Sequence, residues 1–184
     1  MHLLRAGLLL CLLLTNLAAA EPLKSGPPVG EELQKSFEPV NLTGPDAGEK
    51  TCILCEYGEA PVVLVFARAV NDPLLRLIKR LDAVTAQHRE RGLASTVILL
   101  SDDASAAKRL KQFAEQEKIQ HTILRRFAAT GPKDYRLAPE AEITAILFLD
   151  RFIKATHALK AGELQEKSAE AIIADVAKVL PARK

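Results

Sequence analysis

Two apolar patterns alternate along the chain from residue 62 onward. Val62-Val63-Leu64-Val65-Phe66 is an unbroken β-branched and apolar run, as expected of a strand covered on both faces. Asn71-Asp72-Pro73 then supplies a side-chain cap and a proline for a first helical turn. Leu74, Leu75, Leu77, Ile78, Leu81 and Val84 follow at helical spacing, with Arg76, Lys79, Arg80 and Asp82 largely off that face and Gly92 as the stop. Thr96 to Leu100 repeats the buried-strand pattern. Ser101-Asp102-Asp103 opens a second helix with Ala106, Leu110, Phe113 and Ala114 inward. A short strand is expected at His121 to Leu124, then a loop through Gly131-Pro132. Thr144 to Leu149 and Phe152 to Ala158 read as two strands joined by a tight turn at Asp150-Arg151. A last helix runs from about Ser168 to Leu180, with Ile172, Ile173, Val176 and Leu180 inward and Pro181 as its end.

The N-terminal third has a different texture. Residues 1–20 combine His2 and Arg5, the apolar stretch Leu8 to Leu14, and Ala18-Ala19-Ala20. That is the pattern of a secretory signal peptide, too short for a membrane span. Cys11 follows Leu10 rather than a small residue and makes a poor lipid-attachment site. Residues 21–38, rich in proline, glycine and charge, are expected to be an exposed, flexible leader. The folded domain is then 39–181, with 182–184 as a tail. Pro39 to Thr43 suggests an edge strand and Gly44 to Gly48 a turn. Asn41-Leu42-Thr43 matches a glycosylation sequon, a triplet common enough by chance to carry little weight.

Composition narrows the partners. The whole chain carries a net charge of +2, and removing residues 1–20 takes away a single charge, Arg5. Neither nucleic acid nor a charged membrane surface is implied, and no later stretch is long and apolar enough to cross a bilayer. No cofactor-binding signature is present. His88, His121 and His157 fall in separate elements without ligand spacing. Oligomeric state is left open.

Strands alternating with helices, then a hairpin and a helix, make an α/β fold with parallel crossovers and an antiparallel end. From about Val40 to Leu180 this order resembles the thioredoxin-like, or redoxin, superfamily. The resemblance rests on element order, the strand Val62–Phe66, the hairpin Thr144–Ala158 and the closing helix. It implies a central mixed sheet flanked by helices, to which the segment before Val62 would add an N-terminal β-hairpin. It also implies thiol–disulfide chemistry with protein thiols and disulfides as partners. In that superfamily the thiols follow the first central strand, where helix N–H groups stabilise a thiolate. The matching stretch here, Arg68 to Pro73, contains no cysteine. Where a cis-proline would stand before the hairpin, this chain has Ile143.

A Cys-x-x-Cys pair is nonetheless present upstream, Cys52 and Cys55. If Thr51 to Cys55 is a strand paired with Val62 to Phe66 around Tyr57-Gly58-Glu59-Ala60, the two Cα atoms lie about 10 Å apart on opposite faces. A disulfide needs roughly 7 Å or less, so a bonded pair requires a turn instead. Three uses stay open: an exchanging redox pair in an exported protein, a structural disulfide in a non-catalytic binding domain, or half of an intermolecular metal knuckle completed by a second chain. Lys50 would lower a neighbouring thiol pKa, whereas Glu49 and Glu56 would raise it. Arg68, Asn71 and Asp72, beyond the carboxyl end of the first strand and near Ser101 to Asp103, form a second candidate for holding a small polar or anionic ligand. Two helix caps and a solvated arginine are the favoured account of them. Lys108-Arg109, Lys111 and Arg125-Arg126 read as solvated helix and strand edges.

Overall fold

A computed structural model describes residues 21–182; the expected signal peptide, and residues 183–184 of the tail, lie outside that range. Six strands form one mixed sheet: β1 (Val40–Asn41), β2 (Val62–Ala67), β3 (Ala94–Leu100), β4 (Thr122–Phe127), β5 (Ile143–Leu149) and β6 (Phe152–Leu159), in the order β1-β4-β3-β2-β5-β6. The pairs β2–β3 and β3–β4 are parallel, whereas β2–β5, β5–β6 and β1–β4 are antiparallel. The helices are α1 (Ile53–Tyr57), α2 (Asp72–His88), α3 (Ala104–Gln116) and α4 (Glu166–Ala174). The expected α/β architecture is therefore present. Among the described residues no helix is long and apolar enough to cross a membrane.

Strand alternation divides the core into two layers. Val63, Val65 and Ala67 of β2, with Val97 and Leu99 of β3, face Leu74, Leu77, Ile78 and Leu81 of α2, Leu110 of α3 and Ile172 of α4. Val62, Leu64 and Phe66, with Ile98 and Leu100, face the other way, onto Leu33, Phe37, Ile53, Leu54, Tyr57 and Tyr135. All six residues of β2 are buried, which explains its unbroken apolar run. Asn71 caps α2 by accepting the Leu74 N–H at 3.1 Å, and Asp103 caps α3 by accepting the Ser105 N–H at 2.8 Å.

Four expectations need correction. The stretch read as an exposed leader is part of the second layer: Ser25, Leu33 and Phe37 are buried. It is tied to the last two strands by Ser25 Oγ against Thr144 Oγ1 (2.6 Å), Gly30 N–H to Ile153 O (2.9 Å), Ile153 N–H to Glu31 O (3.0 Å) and Leu33 N–H to Arg151 O (2.9 Å). The long helices α2 and α3, with α4, cover one face of the sheet, so this irregular chain and the short α1 have to cover the other. Gly26 marks how close it comes. Its φ is +91°, and a Cβ there would sit 3.1 Å from Thr156 Cγ2 and 3.2 Å from Thr144 Cγ2.

The second correction concerns Thr51 to Cys55, which does not pair with β2 but winds into α1. The N-terminal hairpin takes another form. Val40 bridges Lys50 around the turn at 44–48, with Asn41 N–H to Glu49 O at 2.9 Å, and β1 adds to the edge of β4. Asn41, the sequon residue, is buried, and its side-chain amide donates to Asp46 O at 3.2 Å.

Third, β4 extends past Leu124 to Phe127, and Arg125 is only 1 % exposed; its side chain finds polar partners inside, described below. Last, the final helix tightens after Ala174 into a 3₁₀ turn, Asp175–Lys178. With about three residues per turn, Val176 and Val179 are buried while Leu180 is only partly covered.

Candidate functional site

Cys52 and Cys55 are joined in a disulfide with Cα atoms 5.2 Å apart, within the range such a bond needs. The local helix makes this possible, since a single turn brings residues three apart onto one side. Apolar burial sets the turn. Ile53 is fully buried and Leu54 and Tyr57 nearly so, while the Ile53 N–H donates to Phe37 O at 3.1 Å. Three apolar anchors on one side leave the sulfurs on the other, with Cys55 exposed and Cys52 half-buried.

The two sulfurs differ in surroundings. Cys52 stands at the helix cap, where its Sγ accepts the Cys55 N–H at 3.2 Å. Ser36 Oγ lies 3.3 Å from the same sulfur; a disulfide sulfur carries no proton, so the hydroxyl is the donor. Ser36 Oγ is fixed in turn by the Leu54 N–H at 3.0 Å. Cys52 thus has two donors aimed at it.

Beneath the pair lies a buried cation. All three guanidinium nitrogens of Arg125 are engaged: Nε donates to Thr96 Oγ1 (3.1 Å), Nη1 to Thr51 Oγ1, and Nη2 to both carboxylate oxygens of Glu56 (2.7 Å each) and to Tyr57 Oη (3.0 Å). The Tyr57 ring also lies under the guanidinium, 5.6 Å from ring centroid to Cζ. Thr51 Oγ1 continues the network by donating to Asn41 Oδ1 at 3.2 Å. The expectation of a solvated strand edge at Arg125 is overturned for a simple reason: five polar atoms replace the water that a buried cation would lose. Glu56, read as a carboxylate that would burden the neighbouring thiols, has its charge matched by Arg125.

Burial pushes the Tyr57 phenol up to about 12, against the pull of Arg125 and with help from Glu56. Burial, with Asp134 nearby, also raises Tyr135. A raised phenol loses its proton more readily in the unfolded chain. Its stabilisation is therefore complete below the ordinary value of 10.0 and declines as pH climbs from there towards about 12. These are the chain's only two tyrosines, so ultraviolet phenolate absorbance and loss of circular dichroism should appear as one alkaline transition. A phenolate rise with the fold intact would contradict the buried Arg125–Tyr57 contact.

The second candidate set sits at the carboxyl end of β2. Arg68 donates from Nε to Ala141 O at 3.1 Å, from Nη1 to Ala129 O at 2.7 Å and from Nη2 to Ala138 O at 3.5 Å. Asn71, besides capping α2, donates to Glu142 Oε1 at 3.0 Å; Asp72 is exposed in the first turn. Asp102 accepts the Ala129 N–H at 3.4 Å, so Ala129 links this set to the 101–103 segment. Among the described residues no hydrogen bond or ion pair joins these groups to the disulfide segment. Ile143 begins β5, opposite Ala67, and no thiol lies on the Arg68–Pro73 stretch. Reading the sequence missed Ser36, Thr96 and Arg125, which reach the Thr51–Tyr57 segment from distant parts of the chain, and the part that Thr51 plays beside Cys52.

No family model and no curated protein matches the sequence. Solved structures do match the fold. A secreted disulfide oxidoreductase from Mycobacterium tuberculosis, homologous to E. coli DsbE, aligns with a TM-score of 0.57 at 13 % identity, over 77 % of this chain and 94 % of its own. The thioredoxin domain of a thiol-disulfide oxidoreductase from Bacteroides vulgatus gives 0.56 at 14 % identity, over 79 % and 99 %. The peroxidoxin BcpB of Mycobacterium tuberculosis gives 0.56 at 16 % identity, over 86 % and 99 %. At these identities the likeness is one of fold, and the conclusion it supports is that this chain has the thioredoxin-like fold, with its Cys52–Cys55 disulfide ahead of the first central strand rather than after it.

Proposed function

We propose that the protein is an exported thiol–disulfide oxidoreductase, periplasmic or secreted, that exchanges electrons with protein thiols through Cys52 and Cys55. The observation that carries this reading is the asymmetry of the pair: an exposed Cys55 beside a Cys52 held by two hydrogen-bond donors. A substrate thiolate attacks Cys55 Sγ, the Cys52–Cys55 bond breaks, and Cys52 leaves as a thiolate received by the Cys55 N–H and the Ser36 hydroxyl. Hydrogen-bond donors aimed at the leaving sulfur stabilise the charge it takes on. A second substrate thiolate then displaces Cys55 from the mixed disulfide, so that two substrate thiols are oxidised and the protein pair is reduced. The reverse sequence reduces a substrate disulfide. Export, read from residues 1–20, would put the pair where disulfides persist, and the disulfide oxidoreductases of similar fold lend support.

A second reading, a binding domain with a structural disulfide, draws on Arg68, Asn71 and Asp72. The usual thiol position holds none, and Arg68 and Asn71 are occupied with the scaffold. With its two sulfurs bonded to each other, this state offers no thiolate to a shared metal knuckle.

Insulin reduction separates the readings. Wild type should turn over, Cys55→Ser should not, and Cys52→Ser should accumulate a mixed disulfide at Cys55 visible by intact mass. Background turnover by wild type, with no trapped adduct in Cys52→Ser, would remove the exchange role.

A further inference from the structure

We infer that Arg125 is a positioning residue that holds the two cysteines at closing distance when the pair is reduced, and so fixes the stability of the disulfide. This deepens, and rests on, the reading of Cys52 and Cys55 as an exchanging pair. The partners of Arg125 fall on both sides of it in sequence: Thr51 immediately precedes Cys52, while Glu56 and Tyr57 immediately follow Cys55. One planar group on β4 therefore grips both ends of a seven-residue segment, Thr51 to Tyr57, and Thr96 Oγ1 fixes its angle from β3. No sulfur takes part in the grip, so opening the S–S bond leaves every one of these contacts in place.

A lysine could not reproduce the arrangement, because its single ammonium cannot face partners on three sides in one plane. Solvent does not compete strongly for the grip either. The Arg125 side chain is 1 % exposed, and releasing it from Glu56 and the hydroxyls would strand a buried cation.

A reduced pair that is free to move apart gains conformational entropy, which stabilises the dithiol and weakens the disulfide. A reduced pair held in place gains little, and the effective concentration of one thiol at the other stays high. Arg125 thus favours the oxidised form. Closure with oxidised glutathione makes the step explicit. The Cys55 thiolate attacks one glutathione sulfur and expels the other as a thiolate. The Cys52 thiolate then displaces glutathione from Cys55, leaving a protein disulfide and two reduced glutathiones. The second displacement is the step that depends on the grip.

The test equilibrates full-length protein with glutathione buffers, blocks thiols by alkylation and counts them by intact mass. Arg125→Met should lower the equilibrium constant for disulfide formation about tenfold, which corresponds to a potential about 30 mV more positive, and should raise the steady population of the Cys55–glutathione adduct. Arg125→Lys should fall between it and wild type. Should Arg125→Met fail to fold in its oxidised form, Thr51→Val removes one end of the grip while leaving the Glu56 pair, and about a threefold fall is expected. A folded Arg125→Met, or failing that Thr51→Val, that keeps the wild-type constant overturns the proposal. The readout does not depend on turnover: a shifted constant beside background insulin reduction would leave the positioning role standing and remove the oxidoreductase role alone.

Discussion

Glu56→Ala is expected to lower unfolding stability by about 2–3 kcal/mol, measured by urea titration of the oxidised protein with an unchanged m-value. Removing one partner of a buried ion pair typically costs about 3–5 kcal/mol, because the other charge is left without compensation. Here the stranded charge is Arg125, 1 % exposed, while the Glu56 side chain is 35 % exposed. Water can follow the alanine part of the way in, which is why the smaller figure is appropriate. Three hydroxyl partners, Thr51, Thr96 and Tyr57, remain, but none supplies a negative charge. Adding Arg125→Met to Glu56→Ala should recover most of the loss, to within about 1 kcal/mol of wild type, since replacing both partners leaves no buried charge, and Thr51 and Thr96 keep their bonds to Asn41 and to Ile123 O. If Glu56→Ala costs less than about 0.5 kcal/mol, a value ordinary for a solvated surface pair, the guanidinium is not buried as described.

The same residues show where reading the sequence succeeds and where it stops. Hydrophobic periodicity places β2, β3, β5, β6 and α2 well, because each buries a regular face and one element suffices to display the pattern. It locates β4 but ends it too soon. At Arg125-Arg126 two charges look like the end of burial, although Ile123, Arg125 and Phe127 alternate onto one face, and an arginine between two apolar residues there was the available clue. What no local pattern contains is the meeting of Arg125 with Thr51, Glu56 and Tyr57, some 70 positions earlier. The spacing of the cysteines marks the pair, and geometry alone requires a bonded pair to be turned rather than extended. The turn itself was invisible as a helix because five residues are too few for a period to show. Arg68 and Asn71 lie beyond the end of β2, as the order of elements predicts. That they serve the 129–142 segment depends on carbonyls whose direction a sequence does not reveal.

Phe37→Ala should be the most damaging substitution in the N-terminal stretch, with an expected loss of about 3–4 kcal/mol. Phe37 is 8 % exposed, and its ring packs against Phe66, Phe127 and Tyr135 with centroids 5.7, 5.2 and 5.0 Å away. The contacts to Phe127 and Tyr135 are edge-to-face, a geometry that adds to area burial alone. Truncation would open a cavity between the 21–38 segment and β2, on the face that the long helices α2 and α3 do not cover. The backbone carbonyl of Phe37 also receives the Ile53 N–H at the start of α1, and Ser36 beside it reaches Cys52. The damage should therefore spread in two directions: cleavage by a nonspecific protease in the 31–35 region well below the unfolding midpoint, and faster reduction of the disulfide by dithiothreitol. A loss under about 1 kcal/mol with unaltered proteolysis would mean that this stretch is an appendage after all. The coupling to α1 has a separate control. Leu33→Ala removes a buried side chain from the same segment without touching Ser36 or the Ile53 hydrogen bond, so it should cost stability, about 2–3 kcal/mol, while leaving the reduction rate of the folded protein as it was.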